Sequence, residues 1–363
     1  MKVAHVIQDL NLGGAESFVI DLAREQQRCG DDVEIIVAGQ RPKIRPGIEL
    51  AIKEIHRRRG PDVAAIIRLR SLLNASNPEV VHLHTAPGLV YGILATRLQS
   101  RRPVVFTEHA STSPDALYGR RKGVLDLLAR QADAVVTFDS SLVDHLVKSS
   151  EIRRSRITVI ANGIPIALES ERNDTEIDHS TGDPFVVLGI GGLRPQKNYE
   201  LFIEVASRVT AIRDGSTDIP VEFRIAGDGS ERPRLESAIA SKGVDNVRLL
   251  GSVTDARNLL RTADLLLNTS TWEGMPISML EAMAQGVPIV ATPTGSVEAM
   301  VGPAGLICEP DAASLAAAVT RLLGDPRWRN LLGQMARKRA TDLFDIRLVA
   351  EKHRELYESL LTP

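Results

Sequence analysis

Residues 167–184 read ALESERNDTEIDHSTGDP, and residues 185–198 continue as FVVLGIGGLRPQKN. The first stretch is polar, acidic and nearly free of large apolar side chains, the composition of a linker rather than of a core element. The second opens on a β-type apolar run and breaks into glycines at a turn. One hydrophobic pattern ends before this point and another begins after it, so two domains are expected, a number that suits 363 residues.

Before the linker, short Val- and Ile-rich runs alternate with longer helical periodicities. Strands are expected at 3–7, 33–37, 80–83, 104–106, 134–137 and 158–160, with helices over 15–29 and 88–99 among them. After it the same alternation predicts strands at 185–190, 221–226, 247–250, 265–268, 289–291 and 305–307. Helical patterns there cover 199–213, 232–241, 276–285 and 312–323. Each half reads as a doubly wound, Rossmann-like α/β domain. The expected division is 1–166, a linker at 167–184, 185–344, and a helical tail at 345–363.

Composition narrows the class further. At 43% hydrophobic and 25% charged residues, collagen-like, fibrous and disordered chains are excluded. No run of 18 apolar residues occurs, so no membrane-crossing helix is expected. Met1-Lys2 leads straight into VAHVIQ and a glycine turn, which is not a secretory signal, so the mature chain is expected to begin near residue 1. Cys29 and Cys308 stand in opposite halves, which gives no disulfide framework and points to a reducing, cytoplasmic setting.

The net charge of −2 conceals two different bodies. Up to Ile166 there are 23 basic against 18 acidic residues, and beyond it 21 against 28, so the first part carries +5 and the second −7. Residues 41–70 hold nine of the cations: Arg41, Lys43, Arg45, Lys53, Arg57, Arg58, Arg59, Arg68 and Arg70. Such a run attracts anionic lipid or phosphate and makes peripheral membrane contact an option. A solvated helical face with a loop has the same composition. Nucleic acid is not an expected partner.

In open α/β sheets ligands gather at the carboxyl ends of strands, and the motifs fall there. Gly13-Gly14 follows the first strand at a helix entrance, where free N–H groups suit a phosphate, although a glycine pair also serves simply to turn a chain. After the strand at 185, Gly191 and Gly192 let backbone approach a ligand, while Arg194 offers a fork and Lys197 a point charge to a diphosphate. The segment Thr271 to Ala282 places Pro276 in the first turn of a helix, Glu273 in the loop before it and Glu281 within it. Carboxylates accept from sugar and ribose hydroxyls, and the helix start suits phosphate. No Asp-x-Asp pair occurs. His82 and His84 are read as alternating along a strand and facing opposite sides, so no converging ligand set and no metal are expected.

The spacing of Glu273 and Glu281, E-x(7)-E, followed by EAMAQGVPIVAT, resembles glycosyltransferase family 4. So do GGAE at Gly13 to Glu16, FTEH ending at His109, VIANGI at Val159 to Ile164, GGLRPQKN at Gly191 to Asn198 and AGDGSERPRLE at Ala226 to Glu236. These motifs span nearly the whole chain. The resemblance implies a GT-B fold, two Rossmann-like domains facing across a cleft, the first binding the acceptor and the second a nucleoside-diphosphate sugar. It implies retaining transfer without metal or cofactor, in polysaccharide or glycolipid biosynthesis, with a carbohydrate or lipid-linked glycan as acceptor. Carried over by residue, Glu273, His109, Arg194 and Lys197 are the catalytic set. Gly14, Gly191, Gly274, Met275, Ile277 and Glu281 join Arg194 and Lys197 around the donor, Glu281 at the ribose. Met275-Pro276 stands where the family often has Phe-Gly, which leaves the transferred sugar open. The last helix is expected to cross back to the first domain. The alternative readings are a nucleotide-sugar epimerase or hydrolase on a related fold, or a non-catalytic partner subunit.

Overall fold

The computed structural model describes residues 1–11, 13–39, 44, 47–58, 60, 62–97, 102–109, 122–166, 184–212 and 220–362. The linker expected at 167–184 lies outside the described residues except for Pro184, as do Arg41, Lys43, Arg45 and Arg59 of the basic segment. The chain divides into two compact units. One comprises the residues up to Pro165 together with those from Phe344 on, and the other comprises Ile166–Leu343.

Among the described residues the first unit has seven strands, β1 (Lys2–Ile7), β2 (Asp32–Val37), β3 (Ala51–Glu54), β4 (Val80–His84), β5 (Val104–Thr107), β6 (Ala134–Thr137) and β7 (Ile157–Val159). They form one parallel sheet in the order β3-β2-β1-β4-β5-β6-β7. Parallel sheets are covered on both faces, which is why β1, β2 and β4 read as almost unbroken apolar runs. Helices α1 (Gly14–Arg28), α2 (Val63–Ser76), α3 (Thr85–Arg97), α4 (Lys122–Ala129) and α5 (Ser141–Ser150) supply the crossovers. Asp62 caps α2 by accepting from the Ala65 amide at 3.1 Å, and Asn77 ends it in a left-handed conformation. Strand β3 was not expected. Its sequence AIKE lies half-exposed at the sheet edge, where a single partner and one inward face leave little apolar pattern.

The second unit, among the described residues, orders its strands β10-β9-β8-β11-β12-β13, all parallel. These are β8 (Phe185–Ile190), β9 (Val221–Ala226), β10 (Val247–Gly251), β11 (Leu265–Asn268), β12 (Ile289–Ala291) and β13 (Leu306–Ile307). Its helices are α6 (Tyr199–Ile212), α7 (Arg232–Lys242), α8 (Ala256–Leu260), α9 (Ile277–Gln285), α10 (Val297–Val301), α11 (Ala312–Gly324) and α12 (Pro326–Phe344). The core packs Phe202, Val205 and Val209 of α6 against Phe185 and Phe223 of the sheet and Leu315 and Val319 of α11. The order steps outward on both sides of β8 and β11, which puts the switch point, and the loops that follow these two strands, next to each other.

The final helix α13 (Ile346–Leu361) belongs to the first unit. Asp345 caps it, and Ile346, Val349, Ala350, His353 and Tyr357 form a buried stripe at helical spacing. The Ile346 amide donates to the Ile164 carbonyl at 2.9 Å, and a Cβ on Gly163 would come within 2.8 Å of Val349. Gly163 thus lies where α13 packs, and side-chain bulk is excluded there.

Candidate functional site

The loop after β8 is shaped by Gly191, whose φ of +156° is one that side chains rarely adopt; a Cβ there would meet Lys197 Cε at 2.9 Å. The Tyr199 hydroxyl donates to the Gly191 carbonyl at 3.2 Å and closes the turn. Burial first, and the Glu273 carboxylate second, push the Tyr199 phenol above its ordinary range, so it stays a donor. Arg194 precedes a short 3-10 turn, Pro195–Lys197, and its side chain is exposed. Among the described residues nothing engages its guanidinium.

Lys197 does not point outward. Its Nζ lies 2.5 Å from Oε1 of Glu273, in the loop after β11, where the two side chains are 15% and 3% exposed. Glu273 also accepts from the Ser270 hydroxyl at 2.6 Å and from Asn268 Nδ2 at 3.4 Å. Thr269 and Thr271 fasten the same two loops through the carbonyls of Lys197, Asn198 and Gln196. Beneath the pair sits a cavity with room for about one water, lined by Lys197, Tyr199, Asn268, Ser270 and Ser278. The carboxylate is thereby held by three donors, Lys197, Ser270 and Asn268. Asn268, Ser270 and Tyr199 were not expected as site residues. Their signal was position alone, five and three residues before Glu273 and two residues after Lys197.

Glu281 lies in α9 and pairs with Arg257 of α8 at 3.2 Å. Pro276 is the N-cap of α9 rather than its first residue, because its extended ψ of 116° places it outside the helical turn. Helical geometry then begins at Ile277, so the unpaired amides of the helix start fall at Ile277 and Ser278. Met275 and Ile277 are buried, and the Gly274 carbonyl accepts from the Ser296 hydroxyl. Gly295, at φ +54°, packs so closely that a Cβ would lie 1.8 Å from the Glu273 carbonyl oxygen. The Glu273 loop is therefore fixed from both sides.

In the first unit, Gly14 opens α1 behind an extended Gly13, so its amide is one of the unpaired groups of that helix start. His109 follows β5 by two residues and bonds through Nε2 to Nδ1 of His84 at 2.9 Å. The expectation that His82 and His84 face opposite sides is wrong. Alternation along a strand has period two, so residues two apart share a face. Their ring centroids are 4.1 Å apart, and His5, opposite His82 in the β1–β4 register, joins them. Nitrogens of His5, His82 and His84 lie within 4.8 Å of one another, near enough to share an ion. Both nitrogens of each ring are already hydrogen-bonded, to Gln26, to Tyr357 and Thr107, and to one another and His109.

The described cations of the 41–70 segment are partly neutralised within the unit. Lys53 of β3 pairs with Glu34 at 2.5 Å, Arg68 donates to the His56 carbonyl and lies 3.7 Å from Asp62, and Arg57 stands over the Tyr91 ring. Arg57, Arg58 and Arg68 nevertheless line one open groove with Glu54 and His56. Among the described residues no helix is long and apolar enough to cross a membrane.

Two parallel α/β sheets, each with its conspicuous loops at strand carboxyl ends, define a GT-B glycosyltransferase fold. The structure of Anabaena Alr3699/HepE in complex with UDP and glucose shares it, with a TM-score of 0.82 over 99% of this chain and 100% of that one at 21% identity. Residues 12–168 match the description "Glycosyltransferase Family 4" and residues 184–325 match "Glycosyl transferases group 1". A glycogen synthase of Mycobacterium tuberculosis (strain CDC 1551 / Oshkosh) is 30% identical over 298 residues, 77% of this chain and 68% of the relative. The UDP-Gal:alpha-D-GlcNAc-diphosphoundecaprenol alpha-1,3-galactosyltransferase of Escherichia coli is 26% identical over 310 residues, 82% of this chain and 79% of its own. The chain belongs to glycosyltransferase family 4.

Proposed function

We propose that the protein moves a sugar from a nucleoside diphosphate to an acceptor hydroxyl with retention of anomeric configuration and without a metal. The observation that supports this most is the joining of the buried Glu273 carboxylate to Lys197, beside Arg194, whose guanidinium nothing among the described residues engages. Arg194 supplies a bidentate fork and Lys197, fixed by its pairing with Glu273, a positioned charge to the departing diphosphate, the group on which negative charge develops. Glu273 accepts sugar hydroxyls and Glu281 those of the ribose, while amides at Gly274, Met275, Ile277 and Gly14 border sugar and phosphate. Gly191 allows the diphosphate close to backbone. For His109 of the first unit the proposed role, carried by the family resemblance, is contact with the transferred sugar.

In this mechanism the bond from the anomeric carbon to the phosphate oxygen breaks, its electron pair going to that oxygen. The acceptor oxygen bonds the same face of the carbon, and its proton passes to the departing phosphate. Retention follows from same-face attack, and positioning with electrostatics supplies the rate. The UDP and glucose of the Anabaena complex support a UDP-sugar as the first donor to test. The name of the Escherichia coli relative and the arginines of the 41–70 groove support an anionic, lipid-linked glycan as acceptor, met at the cytoplasmic face of a membrane.

Thermal-shift titration with UDP-, GDP- and ADP-sugars tests the donor, since a ligand of the folded state raises apparent stability by mass action. Acceptor trials with the best donor follow, in EDTA, with product configuration read by NMR. Stabilisation by one nucleotide class and a retained anomer are expected. No shift with any nucleotide, or an inverted product, would overturn the proposal, and rapid donor epimerisation without acceptor would favour an isomerase.

A further inference from the structure

The first unit contains a hydrogen-bonded chain of imidazoles that ends at His109, and its polarity can be worked out bond by bond. Gln26 of α1, 1% exposed, directs Oε1 at His5 Nε2 at 2.8 Å. An amide oxygen only accepts, so His5 donates from Nε2. A neutral imidazole carries one N–H, which leaves His5 Nδ1 as an acceptor, and its partner at 2.9 Å is His84 Nε2. His84 therefore donates from Nε2 and accepts at Nδ1, where His109 Nε2 lies at 2.9 Å. His109 donates there, and its one remaining lone pair is on Nδ1, which nothing among the described residues engages.

A second branch agrees with the first. The other end of the Gln26 amide, Nε2, donates towards the Tyr357 hydroxyl at 3.5 Å. The Tyr357 hydroxyl lies 2.6 Å from His82 Nδ1, and His82 Nε2 lies 2.7 Å from Thr107 Oγ1; both hydroxyls can donate or accept, so this branch is compatible with the first without fixing the His82 tautomer. The orientation of one buried amide thus sets the proton position on three rings, His5, His84 and His109. Neutrality of the rings, on which the bookkeeping depends, fits their surroundings. Burial is the first cause that holds His5, His82, His84 and His109 below the usual histidine range, and for the last three a neighbouring histidine is among the further causes.

We infer that Gln26, His5 and His84 are positioning residues that present His109 as a neutral ring with Nδ1 as a hydrogen-bond acceptor. His109 then receives a hydrogen from a sugar hydroxyl; it is not the acid or the cation of the reaction. This role rests on the proposed transferase reading, whereas the tautomer does not. The arrangement begins at α1, crosses β1 and β4 in register, and emerges at the carboxyl end of β5, where ligands of parallel sheets collect.

The test is long-range proton–nitrogen NMR of the full-length, nitrogen-15-labelled chain at pH 7, with His109 assigned by its loss in His109→Gln. The expected result is a protonated Nε2 and a bare Nδ1 on His109. A His109 protonated on Nδ1, which is the state that follows from the amide turned end for end, or on both nitrogens, would overturn the inference. In folded Gln26→Leu, which removes the anchoring acceptor, the two nitrogen shifts of His109 should merge towards an average and kcat/KM should fall. Unchanged, well-separated shifts in that variant would also refute it. Should Gln26→Leu not fold, the wild-type spectrum decides alone. A chain that binds no nucleotide sugar would remove the transferase reading while the tautomer measurement still stands.

Discussion

Lys197 and Glu273 stand 76 positions apart in sequence, yet Nζ and Oε1 approach to 2.5 Å and join the loops that follow β8 and β11. A buried ion pair owes little net stability to itself, because desolvation offsets most of the attraction, but removal of one partner strands the other. Lys197→Met is expected to cost about 3 kcal/mol, since Glu273 keeps only its neutral donors Ser270 and Asn268. Lys197→Met with Glu273→Gln should recover much of that loss. Urea unfolding of the single and double variants measures the coupling, and additive losses would show that the pair does not fasten the loops.

Arg194 presents the opposite case, a cation that the fold does not need. Its side chain is exposed and holds no partner among the described residues. Arg194→Ala should leave the melting temperature within about 2 °C of the parent, as surface changes usually lie within about 0.5 kcal/mol. If it grips the departing diphosphate, kcat/KM should fall about a hundredfold or more. Steady-state transfer assays alongside thermal melts check both halves, and full activity would remove Arg194 from the site.

Much of this arrangement was legible in the residues. Strand-forming runs such as 185–190 and 221–226 match their observed bounds because buried parallel strands advertise themselves as continuous apolar stretches. Strand β3 did not, since Ala51–Glu54 is half-exposed at an edge. Arg194, Lys197 and Glu273 could be picked out by charge beside glycines and proline. That Lys197 and Glu273 meet could not, because the contact is made by two loops that only the sheet order brings together. The histidine chain was legible in part. The period-two spacing of His82 and His84 carries their shared face, against the expectation of opposite faces, whereas His5 and His109 join through the β1–β4–β5 register, which no local pattern contains.

Gly295 offers a test of how tightly the Glu273 loop is held. Alanine there would need a left-handed backbone and would place Cβ against the Glu273 carbonyl oxygen. Gly243 has a similar φ of +62° but nothing within 4 Å of where a Cβ would stand, so it isolates the backbone cost. Gly243→Ala is expected to destabilise by about 1 to 2 kcal/mol. Gly295→Ala should lose more than that and also lower transfer activity, because the loop must move. Equal losses in denaturant and unaltered turnover would mean that the close approach has no bearing on the site.

Acid should weaken the first unit in a window set by its histidines. Burial, as the first cause, holds His5 and His353 at about 4, whereas both titrate near 6.5 when exposed. Between those values the unfolded chain binds more protons than the folded one, so stability falls as pH is lowered from 6.5 towards 4 and the histidine contribution levels off below. The slope approaches about 1.4 kcal/mol per pH unit for each ring that stays neutral. Asp62 of the first unit, and Asp311 and Glu222 of the second, held below the usual carboxylate range chiefly by hydrogen bonds, add their loss at lower pH still. Urea midpoints at pH 7.5, 6.0 and 5.0 should therefore decline, and His353→Phe, which replaces one buried titrating ring by an apolar one, should flatten the decline. A midpoint that holds constant from pH 7.5 to 5.0 would mean that these rings take up protons in the folded chain, and the imidazole chain ending at His109 would then not be neutral.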